Sequence, residues 1–457
     1  MSNPRVGVVV VDYDGGDLTM HCLRTLVRTD WPDERLDIVL VDNASTTPVV
    51  GRVRSEMPGV SVVESSRNLG FAGGVDLGLD ALPDVDYVAL INNDVTVPPG
   101  WLTPLVEALA RDSSLGAACP KILFADRFVE VTIEAPTTRK MRGDRRDLGV
   151  RLSGVEVEGT EVGARCQYVD GFWGIEHPEG DEPASQWTNA RAVLWVPVLE
   201  GARNARIRLS ADTTKRVTIG SGTAPSLVLD VGPTPQWHDV SIPDDSFDVV
   251  NNLGSELAAD GYGADRAYRE RDDRRHDRSE DVFAWCGAAV LLGGEYVDDV
   301  GYLDRRLFLY YEDFEHSWRG RRRGWNYRTV PSSVVRHVHS ATSVEGSALS
   351  HYYNERNHLL VLMRHASPGL IVRAFVRYLL ITASYARRDL VSRWLHREKG
   401  TPIEVRRRLR AFGGALRLTP SMIAARLGDG RRRARPHGHA RSPERNPPSP
   451  SGPLDRS

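Results

Sequence analysis

The chain has 457 residues, 41% hydrophobic and 26% charged, proportions of an ordinary globular protein that exclude wholesale disorder and a polytopic membrane protein. That length exceeds one small domain and allows two or three units, each with its own core. The net charge of −2 conceals an asymmetry: from Ala366 onward 20 Lys and Arg face 6 Asp and Glu, which leaves about −16 on residues 1–365. The basic end calls for an anionic partner, expected to be a membrane surface and not nucleic acid.

The opening residues MSNPRVGVVVVDYDGG lack the basic start, apolar run and cleavage site of a signal peptide, so a cytoplasmic location is expected, peripheral on the inner membrane face. Cys22, Cys119, Cys166 and Cys286 stand far apart and in no CxxC spacing, and read as core hydrophobes. RVGVVVVDY, LDIVLVDN, VSVVES and DYVALINND are bounded Val- and Ile-rich runs that predict strands. DLTMHCLRTLVRT and GWLTPLVEALARD, between and after them, predict helices. The alternation specifies βαβ units, a mostly parallel sheet flanked by helices. In such sheets ligands bind beyond the carboxyl ends of strands, and three of these ends are polar: Asp12, then Asp42 and Asn43, then Asn92, Asn93 and Asp94. A polar cleft is expected there.

From about Phe128 to Val250 the texture becomes short alternating runs with dense turn residues, as in LGVRLSGVEVEG, ARIRLSA and SLVLDV, which predicts an antiparallel all-β sandwich. FAWCGAAVLLGGEYVDDVG and YRTVPSSVVRHVHS then return to α/β texture, so the sandwich reads as an insertion. The expected division is 1–126 and 250–365 for the two halves of the α/β domain, 127–249 for the insert, 366–430 for basic amphipathic helices and 431–457 for a disordered tail. Within the helices, LLITASYA is too short to span a bilayer, and a helix lying on an anionic surface is expected, with a helix that packs on the catalytic domain as the alternative.

Taken in order, VVVVDYDGGDLTMHCLRTL, VDNAS, RNLGFAGG, LINNDV, FLYYEDFEHSWRGRRRGW and VVRHVHSATS resemble the family 2 glycosyltransferases with the GT-A fold, especially the bacterial rhamnosyltransferase-like branch. The resemblance covers roughly residues 4–126 and 250–365. It implies an inverting transferase that moves one sugar from a nucleotide diphosphate sugar, of dTDP-rhamnose or UDP-sugar type, to a cell-envelope glycan or lipid-linked acceptor. By the same resemblance Asp42, Asn68, Gly70, Gly73 and Gly74 lie at the donor, with Asp12 and Asn93 beside them. Asp94 and His337, with His339 as near neighbour, would hold Mg²⁺ or Mn²⁺. Asp313 would be the catalytic base next to Glu312, and Trp285, Cys286 and Gly287 would line the acceptor side. The residues fit this chemistry: a hard divalent ion needs only one or two protein ligands beside the diphosphate, and the acceptor hydroxyl needs a base.

Arg319, Arg321, Arg322 and Arg323 offer charge for acceptor phosphates, although a charge run on a helix is usually solvated. Asp12 and Asp76 stand where the family often has other residues, which puts the donor contacts in question. No QxxRW motif is present, against a processive synthase. The insert resembles jelly-roll modules found with cell-envelope sugar transferases, and Trp173, Trp187 and Trp195 offer either glycan stacking faces or core packing. Two other readings stay open, a sugar nucleotidyltransferase and a glycan-binding scaffold with a degenerate GT-A domain. The first would need a glycine-rich, Arg- and Lys-bearing first loop that VVVVDYDGGDLTM does not supply.

Overall fold

The computed structural model describes residues 3–139, 146–176, 184–199, 201–338, 347–392 and 402–429. Strands β1 (Val6–Asp12), β2 (Leu36–Asp42), β3 (Val60–Glu64) and β4 (Tyr87–Asn92) run parallel, with β1 between β2 and β4. Their β-branched residues suit a pleated surface, and β1 and β2 read as near-continuous apolar runs because helices cover both faces. Helices α1 (Asp17–Leu26), α2 (Val50–Glu56), α3 (Gly70–Ala81) and α4 (Leu102–Arg111) supply that cover. Close seating of α3 depends on glycine: a Cβ at Gly74 would stand 2.6 Å from Val11, and one at Gly78 2.3 Å from Val9.

After the short β5 (Val95–Thr96) and α4, the long β6 (Leu115–Phe124) is fully buried. The strand Ala289–Gly293 lies antiparallel between β4 and β6, and Asn326–His337 runs parallel to β6 on its far side. The order across the sheet is Asp281–Val282, Asn326–His337, β6, Ala289–Gly293, β4, β1, β2, β3. The last residues of Asn326–His337 also pair with β5, His337 opposite Val95. This pairing carries His337 to the end of β4.

Between Arg127 and Ser241 the chain forms the additional β region. Its strands follow the order Ala224–Val231, Lys215–Ser221, Arg127–Glu134, Gln186–Val198, Arg151–Val157, Asn204–Ser210, Gln236–Ser241, all antiparallel. Gln186–Val198 serves both halves, and Val131, Ile133, Val155, Leu194, Ile207 and Val217 close one core between them. The chain leaves the first sheet after β6 and returns on Val250–Asn252, which pairs antiparallel with β6 itself. Trp187 and Trp195 are buried, and the indole N–H of Trp173 donates to the Asp147 carbonyl. Packing, not an open stacking face, accounts for the two buried indoles.

Beyond α5 (Gly294–Val300) and α6 (Glu312–Arg321), three long helices complete the molecule: α7 (Ala348–His365), α8 (Pro368–Ala386) and α9 (Ile403–Asp429). Ser367 caps α8 through the N–H of Leu370, and Pro368 occupies its first turn, where no N–H is required. Leu359 and Leu360 of α7 pack with Tyr378 of α8 and with Ala415 and Met422 of α9. Partly buried ion pairs add to this: Arg408 to Glu355 at 2.6 Å and Arg364 to Asp429 at 3.0 Å. The last helices are therefore docked on α7. The helical segment also exceeds the LLITASYA run: Pro368–Asp389 spans 22 residues and is long and apolar enough, by length and composition, to cross a membrane. The expected tail lies outside the described residues.

Candidate active site

The parallel strands end in register, Asp12 opposite Asp42 and Val11 opposite Asn92, so their polar ends meet along one edge. Asp12 is wholly buried there. Its carboxylate accepts from Thr19 Oγ1 at 2.6 Å, from Asn93 Nδ2 at 2.8 Å and from the Gly15 N–H at 3.1 Å. It does not line the cavity, and it orients Asn93, which does. Asp42 accepts from the Ser45 N–H and organises the turn after β2. Asn43 Oδ1 accepts from the Leu69 N–H, and its Nδ2 donates to Asn68 Oδ1 and the Gly70 carbonyl, tying the loop before α3 to the end of β2. Asn68, Gly70 and Asn93 line a cavity of about 570 Å³. Gly73 and Gly74 do not: they are buried in α3 against Leu69 and Val11, so their smallness serves packing.

On the floor of that cavity His337 Nε2 stands 3.1 Å from Asp94 Oδ1, and its Nδ1 is 3.0 Å from Asn251 Oδ1. Asp94 and His337 are both buried. The β5 pairing brings them together across 243 positions of sequence. His339 lies outside the described residues. Among these residues no group of three or more His, Cys, Asp or Glu is arranged to hold a metal; the pair alone offers one carboxylate and one imidazole.

The opposite wall begins at the first turn of α6. Asp313 Oδ2 accepts from the Gly287 N–H at 2.8 Å, and Oδ1 from its neighbour Phe314 N–H at 2.7 Å. Glu312 is buried, and its Oε2 has no hydrogen-bond partner. Burial pushes both carboxyls above their ordinary range. At Glu312 the charge of Asp313 adds to the effect. At Asp313 the two N–H donors pull the other way without cancelling it, and Asp265 raises it further. The helix N-terminus favours anions, yet desolvation wins here.

Cys286 and Gly287 line the cavity. Trp285 does not: it is fully buried, its indole N–H on Tyr296 Oη. Arg319 is likewise committed inside, donating to the Val300 and Tyr302 carbonyls and to Glu315, so it cannot face an acceptor phosphate. Arg321 lies over the Phe283 ring. Asp76 is buried and paired with Arg305 at 2.5 Å while accepting from the Leu303 N–H, which joins α3 to the loop before α6. Sequence reading missed one wall altogether: Asn251, Asn252, Ser255 and Asp265, from the chain returning out of the β region. Asp265 accepts from Asn252 Nδ2 and Ser255 Oγ. Only its density of amide and acid residues signals it in the sequence.

Residues 8–149 match the family model described as Glycosyl transferase family 2. No curated protein matches the chain. Among solved structures, GalNAc-T7 with UDP, GalNAc and Mn²⁺ aligns with a TM-score of 0.43 and 14% identity, over 93% of this chain and 57% of that one. This chain thus spans little more than half of it. The mannosyltransferase PcManGT from Pyrobaculum calidifontis, in complex with GDP-Man and Mn²⁺, gives 0.40 and 13%, over 94% and 86%. TarS 1–349 of S. aureus gives 0.39 and 10%, over 93% and 88%. The family match ends before Glu312, Asp313 and His337, which the sheet brings to the same cavity as Asn93 and Asp94. The matched segment, under a third of the chain, lies on the parallel strands β1 to β4 and the helices that flank them.

Proposed function

We propose that the chain is an inverting, metal-dependent glycosyltransferase acting on a nucleotide diphosphate sugar, of dTDP-rhamnose or UDP-sugar type, and on a cell-envelope glycan or lipid-linked acceptor. The observation that carries the reading is one cavity with the Asp94–His337 pair on its floor and Asp313 on its wall. Donor contacts fall to Asn68, Gly70 and Asn93, with Asp42 and Asn43 shaping the loops that hold them.

Asp313, as carboxylate, takes the proton of the acceptor hydroxyl while that oxygen bonds to the anomeric carbon. The bond from that carbon to the diphosphate oxygen breaks in the same displacement, so the configuration inverts and a nucleoside diphosphate leaves. Asp94 and His337, one carboxylate and one imidazole, would hold a hard divalent ion; bound there, Mg²⁺ or Mn²⁺ would neutralise charge on the leaving group. The basic C-terminal end supports a further part of the proposal, a peripheral position on the inner face of an anionic membrane.

A screen of UDP-glucose, UDP-galactose and dTDP-rhamnose with Mn²⁺ tests the reading, with product configuration read by NMR. Turnover with inversion is expected, and Asp94→Ala abolishes Mn²⁺-dependent UDP binding in titration calorimetry with the fold intact. No turnover of any donor, or Mn²⁺ dependence unchanged in Asp94→Ala, would overturn it.

A further inference from the structure

The chain reaches Asp313 through a loop that its own torsions do not favour. Phe308, Tyr310 and Tyr311 have φ of 67°, 66° and 69°, the left-handed region in which a bulky side chain is an outlier. Three of the four residues before Glu312 are held there, and such torsions persist only where the surroundings over-determine them.

What holds them is on α7, some 50 residues later. Asn357 is wholly buried, and its Nδ2 faces the carbonyls of Leu307, Leu309 and Tyr310 at 2.9, 2.8 and 2.7 Å. Arg356 Nε donates to Asn357 Oδ1 at 2.8 Å, which turns the amide nitrogen toward the loop. The same guanidinium donates through Nη2 to the Arg306 and Leu307 carbonyls at 2.9 and 2.7 Å. Of these carbonyls, that of Leu307 also accepts from the Leu309 N–H, and buried carbonyls in an irregular loop demand a donor. On its other side the loop presses on the donor wall: a Cβ at Gly70 would lie 2.2 Å from the Phe308 carbonyl oxygen.

We propose that Asn357, oriented by Arg356, is a positioning residue for the acid pair. Its amide fixes the left-handed turn from which α6 departs, and so where the Asp313 carboxylate stands relative to Gly287 and to the donor. The proposal rests on the reading of Asp313 as the base. A residue that merely stabilised the fold would lower the melting temperature and leave the split between kcat and KM untouched.

The test uses the full chain with Asn357→Ala and with Asn357→Asp, which keeps the shape and loses the donor. Amide hydrogen exchange is followed across residues 305–315, and steady-state hydrolysis of dTDP-rhamnose and UDP-glucose is measured with Mn²⁺. Exchange in that segment is expected to rise by about tenfold or more with β1 to β4 unchanged. kcat should fall by about 10²-fold, the scale of an ångström's misplacement, with donor KM within about threefold. Tyr310→Gly takes the same torsion at no steric cost, so adding it to Asn357→Asp should recover part of the lost kcat.

Unchanged exchange in the variants overturns the clamp. Faster exchange with unchanged kcat, or no recovery in the double variant, overturns its part in catalysis. If the wild-type chain turns over none of the three donors of the screen, the functional reading fails by itself, and exchange still decides the clamp.

Discussion

Asp313 occupies an environment that a base requires: desolvated enough to hold its proton more tightly than a free aspartate, yet supplied with two N–H donors that keep the carboxylate accessible. Transfer should therefore rise with pH through a midpoint well above the ordinary aspartate value of about 3.9, because the protonated acid cannot accept the acceptor's proton. The midpoint belongs to the Glu312 and Asp313 pair together. Asp265→Asn removes a negative charge that raises Asp313, so it should move the midpoint down; a kcat profile with its acid limb at the free-aspartate value and indifferent to Asp265 would contradict this. Other residues taken from motifs hold internal polar contacts. Asp12, Asp76 and Arg319 are polar side chains of the right types at the right places in sequence, but their partners are internal. A motif identifies the residue and not the direction its side chain takes.

The C-terminal helices show two faces, one buried and one exposed. Leu359, Leu360, Val361 and Leu362 of α7 are fully covered in clusters completed by α8, α9 and the turn between α7 and α8, and exposing one such side chain costs about 1.5–3 kcal/mol. A chain ending after His365 should consequently aggregate or melt far below the intact protein in a thermal scan; an unchanged melting temperature would show that the helices are accessory. Their outer faces carry Val372, Val376 and Leu380 with Arg373 on α8, and Leu409 and Leu416 with Arg410 and Arg417 on α9, all exposed. Reversing Arg373, Arg410 and Arg417 to Glu should leave stability within about 0.5 kcal/mol, as for surface substitutions generally. Each arginine contributes about 1 kcal/mol near an anionic surface, so partition onto anionic vesicles at low salt should fall by at least about a hundredfold. Equal sedimentation of the variant and wild type with such vesicles would remove the membrane from the account.

Across the whole molecule, legibility follows the range of the interactions. β1 to β4, α1 and α4 could be read because propensity, periodicity and strand-end polarity agree locally, as in VGVVVVD ending on Asp12, whereas the short α2 and the glycine-rich α3 were not. The β texture after Phe128 was equally plain, since alternation needs no partner to be seen. The return of the chain through Asn251, Asn252 and Asp265, the docking of α8 and α9 on α7, and the hold of Asn357 on a loop 47 to 50 residues earlier were not readable. Each depends on a pairing between distant segments that no local pattern encodes. The central claim is that residues from both ends of this long chain act on one bond, with the donor held from one side and the proton taken from the other. Asp313→Asn tests it directly, because the amide preserves shape and cannot take the proton. With the donor that the screen identifies, the account predicts transfer down by about 10²-fold or more, and Mn²⁺–UDP affinity within about threefold of wild type; turnover within about tenfold of wild type would contradict it.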